Sequence, residues 1–102
     1  MNDSLTLIPL ESPLKGLRLI GELDLATAPA LKAAFDELPA HGSVTLDLTE
    51  LTFIDSSGLH AIMQFAPSLN GDGPLTLANP SAHVSRLLEI VHMDSHPGIR
   101  IS

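Results

Sequence analysis

Three times between Leu17 and Ser102 the sequence changes its hydrophobic rhythm from every second residue to every third or fourth, and back again. Alternation puts residues i and i+2 on one face of a strand, whereas i, i+3, i+4 and i+7 make one face of a helix. A helix between two strands is the connection that parallel pairing needs, because a tight turn cannot return the chain in the same direction. The pattern predicts an α/β fold of order β-β-α-β-α-β-α-β, a mixed β-sheet packed against helices.

The individual segments follow the same logic. "SLTLIPL" alternates Leu5 and Leu7 with polar neighbours, and Pro9 must end that strand or place it at an edge. "ESPLKG" is turn chemistry, and Leu17–Leu23 is the returning strand of a hairpin. Leu31, Ala34, Phe35 and Leu38 keep helical spacing, with Thr27 as the expected cap and Pro29 tolerated in the first turn. After a break at Gly42, Val44, Leu46 and Leu48 alternate as a strand, and Leu51 to Ile54 reads as a short extended run. From Ser57, the residues Leu59, Ile62, Met63, Ala66 and Leu69 return at helical spacing, and Pro67 is expected to kink or end that helix. "NGDGP" is a loop and Leu75–Ala78 a short strand. Asn79 is the expected cap of a third helix, with Pro80 at its first position and Val84, Leu87, Leu88 and Val91 as its buried stripe. "HMDSHPG" reads as loop and "IRIS" as a last strand.

Composition narrows the function. A chain of 102 residues, 44% apolar, is expected to form a single domain over 1–102 with one core. Twelve acids against five bases give a net charge of −7, which argues against nucleic acid and anionic membrane as partners. Tyr and Trp are absent, so base stacking has little to use. Without cysteine there are neither disulfides nor thiolate metal sites. No apolar run approaches the roughly 20 residues of a membrane span, and "MNDSLTLIPL" lacks the basic start and apolar stretch of a signal peptide. A cytoplasmic protein without membrane insertion is expected.

Chemistry concentrates in "LTFIDSSGLHAIMQFA", Leu51 to Ala66. Here an acid, two serines and a glycine stand where a strand gives way to a helix. One reading is capping: Asp55 or Ser56 accepts an orphan N–H of the first turn. Gly58 fits that less well, since glycine in a first turn costs up to about 1 kcal/mol against alanine, and suggests close approach of something to the backbone. The other reading is modification: free N–H groups and the positive end of the helix would accommodate a phosphate on Ser56. With Leu59, Ile62, Met63 and Ala66 turned inward, His60, Ala61 and Gln64 face outward and Phe65 partly so, a weakly charged face suited to docking.

Other constellations are incomplete. A nucleophilic serine needs a base held by a third group, and although His60 lies four residues beyond Ser56, no acid orients it and there is no G-x-S-x-G elbow. "SPLK" from Ser12 matches S-x-x-K in a hairpin turn without its companion motifs. His92 and His96 are spaced i, i+4 but run into Pro97 and Gly98, so they need not share a helix face, and no metal is expected. No glycine-rich phosphate loop is present, and no cofactor is expected.

"GELDLATAPAL" from Gly21, "VTLDLTELTFIDSSGL" from Val44 and "LANPSAHVSRLLEI" from Leu77 together resemble the STAS-domain anti-sigma-factor antagonists of bacteria, over about Leu17 to Val91. The resemblance implies a switch protein rather than an enzyme. A partner that is both anti-sigma factor and serine kinase phosphorylates the first hydroxyl after the motif aspartate, here Ser56, and a phosphatase resets it. The unphosphorylated form binds the anti-sigma factor and frees the sigma factor for transcription. Asp24 and Asp55 are implied to position the serine, with Ser57 and Gly58 supporting the site and Leu59, His60 and Gln64 meeting the partner. His60 stands where many relatives carry a small residue, and a helix that often follows the last strand is not represented. The same domain also serves in lipid-trafficking ABC complexes and stress-sensing assemblies, where it acts as a non-catalytic interaction module.

Overall fold

The computed structural model describes residues 5–38, 43–65 and 74–102. Strand β1 (Leu5–Pro9) pairs antiparallel with β2 (Gly16–Leu23), ends at Pro9 and forms one edge of the sheet. Helix α1 (Ala28–Asp36) follows, with Pro29 in its first turn, and then β3 (Val44–Ile54), parallel to β2. Helix α2 (Ser56–Phe65) leads to β4 (Leu75–Ala78), and α3 (Ala82–Ile90) leads through a 3-10 turn at Met93–Ser95 to β5 (Ile99–Ile101). The five strands lie in sequence order, β1-β2-β3-β4-β5, with parallel pairing from β2 onward. The element order is the one the periodicity predicts. The break at Gly42, the helical continuation through Ala66 and Leu69, the stop at Pro67 and the "NGDG" loop lie outside the described residues.

Because each parallel crossover steps to the next strand in the same direction, right-handed connections put all three helices on one face of the sheet. The burial pattern agrees: Leu19, Leu23, Leu46, Leu48, Leu77 and Leu88 are fully buried in one core, while Arg18 and Thr49 on the strands are exposed. The exposed face carries the ion pair of Arg18 with Asp47 at 3.3 Å.

Strand β3 differs from the expectation of a strand followed by a separate extended run. It is a single strand of 11 residues. Its register against β2 shifts twice: Leu17 faces Leu46, Gly21 faces Leu51 and Leu23 faces Ile54. Each shift inserts an extra residue into β3, so the buried positions, two apart at Val44, Leu46 and Leu48, become three apart at Leu51 and Ile54. The break in alternation is a pair of bulges. Thr27 stands at the N-cap position of α1 as expected, but without the capping bond, because its hydroxyl is turned back to the Glu22 carbonyl at 2.9 Å, and the cap of α3 differs. The cap of α3 is Ser81, whose Oγ accepts from the Val84 N–H at 3.3 Å, while Asn79 takes a left-handed turn at φ 56° ahead of Pro80. Val91 lies beyond the helix and is 39% exposed, outside the buried stripe.

Candidate functional site

The register that pairs Leu23 with Ile54 brings the ends of β2 and β3 level, so Asp24 and Asp55 emerge side by side at the carboxyl edge of the sheet. The Asp55 N–H donates to the Leu23 carbonyl at 3.1 Å, tying the two strand ends together. Helix α2 then begins at once with Ser56.

Both carboxylates act on backbone. Asp55 Oδ1 accepts from the N–H of Ser57 at 2.9 Å and of Gly58 at 3.1 Å, which makes Asp55 the N-cap of α2. Asp24 Oδ1 accepts from the N–H of Ala26 and of Thr27, each at 3.0 Å, and fixes the turn into α1. The Asp24 N–H in turn donates to Thr27 Oγ1 at 2.9 Å. Two short polar turns therefore hold the starts of α1 and α2 in fixed relation, with Ser56 exposed at the first position of α2 and Ser57 half-buried beside it.

This geometry corrects two expectations. The first-turn N–H groups of Ser57 and Gly58 are not free for a phosphate, because Asp55 already occupies them. A phosphate on Ser56 would project outward from a capped helix end with Asp24 and Asp55 nearby. Nor does Gly58 leave room for a partner, since it is buried. A Cβ built on it would lie 2.6 Å from Leu23 Cγ and 3.0 Å from Ile54 Cγ1. The close approach inferred from the sequence is internal, between α2 and the ends of β2 and β3.

The face of α2 is also rotated from its expected phase. Gly58, Leu59, Ala61 and Ile62 are the buried residues, and Met63 is 37% exposed. Gly58, Ala61, Ile62 and Phe65 are themselves at i, i+3, i+4 and i+7, with two small residues where α2 crosses close to its neighbours. Phe65 stacks on Phe35 of α1, centroids 3.7 Å apart and planes at 12°, which holds the far ends of the two helices together. His60 and Gln64 are exposed as expected, whereas Leu59 is 7% exposed and belongs to the core, so it supports the surface from below. The sequence reading missed Leu25, which is 75% exposed directly after Asp24. Its signal was a large apolar residue lying outside every periodic stripe.

Among the described residues there is no group of three or more His, Asp or Glu side chains placed to hold a metal, and His96 Nδ1 accepts from the Gly98 N–H at 3.2 Å. Asp47, on the opposite face of the sheet, is held below the usual carboxylate range. The chief cause is the hydrogen bond from the Thr49 hydroxyl, joined by the Thr49 N–H and by Arg18 and opposed by partial burial. No helix among the described residues is long and apolar enough to cross a membrane.

The protein-family model described as "Mlab, STAS domain" matches residues 12–100. An anti-sigma factor antagonist from Mycobacterium paratuberculosis has a similar structure, with a TM-score of 0.79 and 21% identity, covering 95% of this chain and 86% of that one. The anti-sigma factor antagonist SpoIIAA in its unphosphorylated form gives 0.67 and 22%, covering 97% and 87%. The Bacillus cell fate determinant SpoIIAA in its phosphorylated form gives 0.66 and 20%, covering 97% and 91%. No curated protein sequence matches significantly.

Proposed function

The chain belongs to the STAS domain family, and from that premise we propose that it is an anti-sigma-factor antagonist switched by phosphorylation of Ser56. The observation that carries this reading is the exposed Ser56 at the first position of α2, beside two carboxylates locked into backbone turns. A kinase can reach that hydroxyl without unfolding anything. The unmodified surface binds an anti-sigma factor that is also a serine kinase. A phosphate adds about −1.5 to −2 charge beside Asp24 and Asp55 on an already acidic chain, and the complex separates. A phosphatase restores the binding form. Ser57 and Gly58 support the site, the first as an amide donor to Asp55 and the second as the small residue that seats the helix.

On this reading the protein is a cytoplasmic, non-enzymatic module that needs no cofactor and touches neither nucleic acid nor membrane. Support comes from the two acids: each uses Oδ1 on the backbone amides that start a helix, a role in positioning the turns and not in a catalytic relay. Because the matching family model is described by its STAS domain and not as an antagonist, a second reading stands beside the first. It makes the chain the non-catalytic STAS subunit of a lipid-trafficking ABC complex or a stress-sensing assembly. A pull-down from the source cell, followed by incubation of this protein with the captured kinase and ATP and mass spectrometry of this protein, tests the proposal. Phosphate on Ser56, absent from Ser56→Ala, is expected. Phosphate on Ser57, or an ABC ATPase captured with neither serine modified, refutes it.

A further inference from the structure

We infer that the groove between α1 and α2 is a docking site for an amphipathic helix of a partner protein, apolar on its inward face and basic at both ends. This rests on the partner-binding reading above, and not on modification of Ser56. Two cavities lie along these helices. One, of about 240 Å³, is bordered by Leu25, Ala28 and Lys32 on one side and by Ser57, His60 and Gln64 on the other. The next, of about 150 Å³, runs to the stacked rings of Phe35 and Phe65. They share Lys32, Ala61 and Gln64, so they are two halves of one groove.

Its floor is low because Ala28 and Ala61 are small and buried. Its rim carries Leu25, which is 75% exposed. Along α2 the residues bordering the two halves are offset by about three positions, just under one turn, or roughly 4 Å at 1.5 Å per residue. That spacing receives apolar side chains at i and i+4 of a bound helix.

Charge selects the occupant. Asp24 and Asp55 stand where the groove begins, Asp36 lines its far end and Lys32 lies between. A complementary helix carries Lys or Arg in its first and last turns and an acceptor such as Glu or Gln opposite Lys32. A second copy of this chain, at net −7, fits poorly.

The test uses a synthetic helical peptide of about 14 residues, roughly 20 Å long. It has leucines at i and i+4, glutamate between them and lysines in both end turns. Titrated into the 15N-labelled protein, it is expected to shift the amide signals of Leu25, Lys32, His60 and Gln64. A peptide of the same composition with leucines at i and i+2 is expected to leave them unmoved. Leu25→Asp, at an exposed position, is expected to keep the native spectrum and weaken binding by about tenfold or more. No shifts at peptide concentrations of about 1 mM, shifts on the open sheet face around Ile8 and Phe53, or unchanged affinity in Leu25→Asp would each overturn the inference. So would a dimer formed without peptide and abolished by Leu25→Asp, which would make the occupant a second copy. Because neither kinase nor phosphate enters this measurement, its failure and failure of the Ser56 reading are separately visible.

Discussion

Replacing Gly58 with alanine adds one methyl group where α2 sits on the ends of β2 and β3. On an exposed helix the change would stabilise the protein by up to about 1 kcal/mol, because alanine loses less backbone entropy. Here the new Cβ would lie 2.6 Å from Leu23 Cγ and 2.9 Å from its Cδ2, with Ile54 Cγ1 at 3.0 Å. Leu23 and Ile54 are almost completely buried, so neither can swing into solvent. Overpacking of this kind costs about 1–3 kcal/mol, and after the propensity gain a net loss of about 1 kcal/mol remains. For a domain of this size that lowers the thermal midpoint by about 4–8 °C, measurable by calorimetry or circular dichroism. The decisive form is a double-mutant cycle with Leu23→Ala, which removes the atoms that collide. In that background Gly58→Ala should change sign and stabilise, giving a coupling of more than about 1 kcal/mol. If Gly58→Ala stabilises the parent protein, or if the two changes are additive, Gly58 is not there for packing. The earlier reading, in which a partner needs that glycine, would then return.

The remaining predictions address the caps, the switch and pH. Asp55→Ala removes the acceptor for two first-turn amides and should cost about 1 kcal/mol in chemical denaturation, while Asp55→Asn, which keeps an acceptor, should cost much less. Ser56→Glu should shift stability by under about 0.5 kcal/mol yet weaken binding of the captured anti-sigma partner by about a hundredfold, with Ser56→Ala binding like the parent protein; equal binding of both in surface plasmon resonance would contradict the switch. His60→Glu and Gln64→Glu should weaken that binding at an unchanged thermal midpoint, since both side chains are exposed. Asp47 contributes stability that is fully present above the ordinary carboxylate value of about 3.9 and is lost as pH falls through its lowered folded value. Asp47→Asn should therefore be less stable at neutral pH and show a flatter decline below about pH 4 in acid titration followed by circular dichroism.

Element order was legible because each element carries its own period, and a period needs no knowledge of neighbours. What was not legible depends on contacts between elements. The two bulges of β3 look, in sequence, like a strand ending after Leu48 and another beginning at Leu51, because only the pairing with β2 shows that the chain stays extended through Thr49 and Glu50. The phase of α2 admitted two stripes, and the large residues Leu59, Ile62 and Met63 suggested one. The structure keeps Leu59 and Ile62 inward as expected but turns the face toward Gly58 and Ala61 and leaves Met63 exposed, because the two small residues allow the helix to approach β2, β3 and α1 closely. Thr27 and Asn79 are good caps by composition, but a cap is decided by the entering backbone. The turn fixed by Asp24 directs the Thr27 hydroxyl to Glu22, and the left-handed Asn79 passes the role to Ser81. At the site, the identities of Asp24, Asp55 and Ser56 stood out in sequence, but their adjacency rests on the pairing of Leu23 with Ile54.

Strand order then explains why such a site presents a surface. In open parallel sheets a ligand crevice forms outside the carboxyl ends of the strands where successive crossovers leave in opposite directions and their helices part. Here the order runs β1 to β5 without reversal, so the loops after β2 and β3 lead to helices on the same face. Those helices lie against each other, held by the turns of Asp24 and Asp55 at one end and the Phe35–Phe65 stack at the other. What remains at the strand ends is an exposed serine on a rigid, acidic corner, with a shallow groove leading away from it. A small metabolite would find few converging groups there, whereas a protein can cover the corner and the groove together. On the proposed switch, a charge written on Ser56 would change that exposed surface, while the residues that seat α2, namely Gly58, Leu59 and Ile62, are buried beneath it.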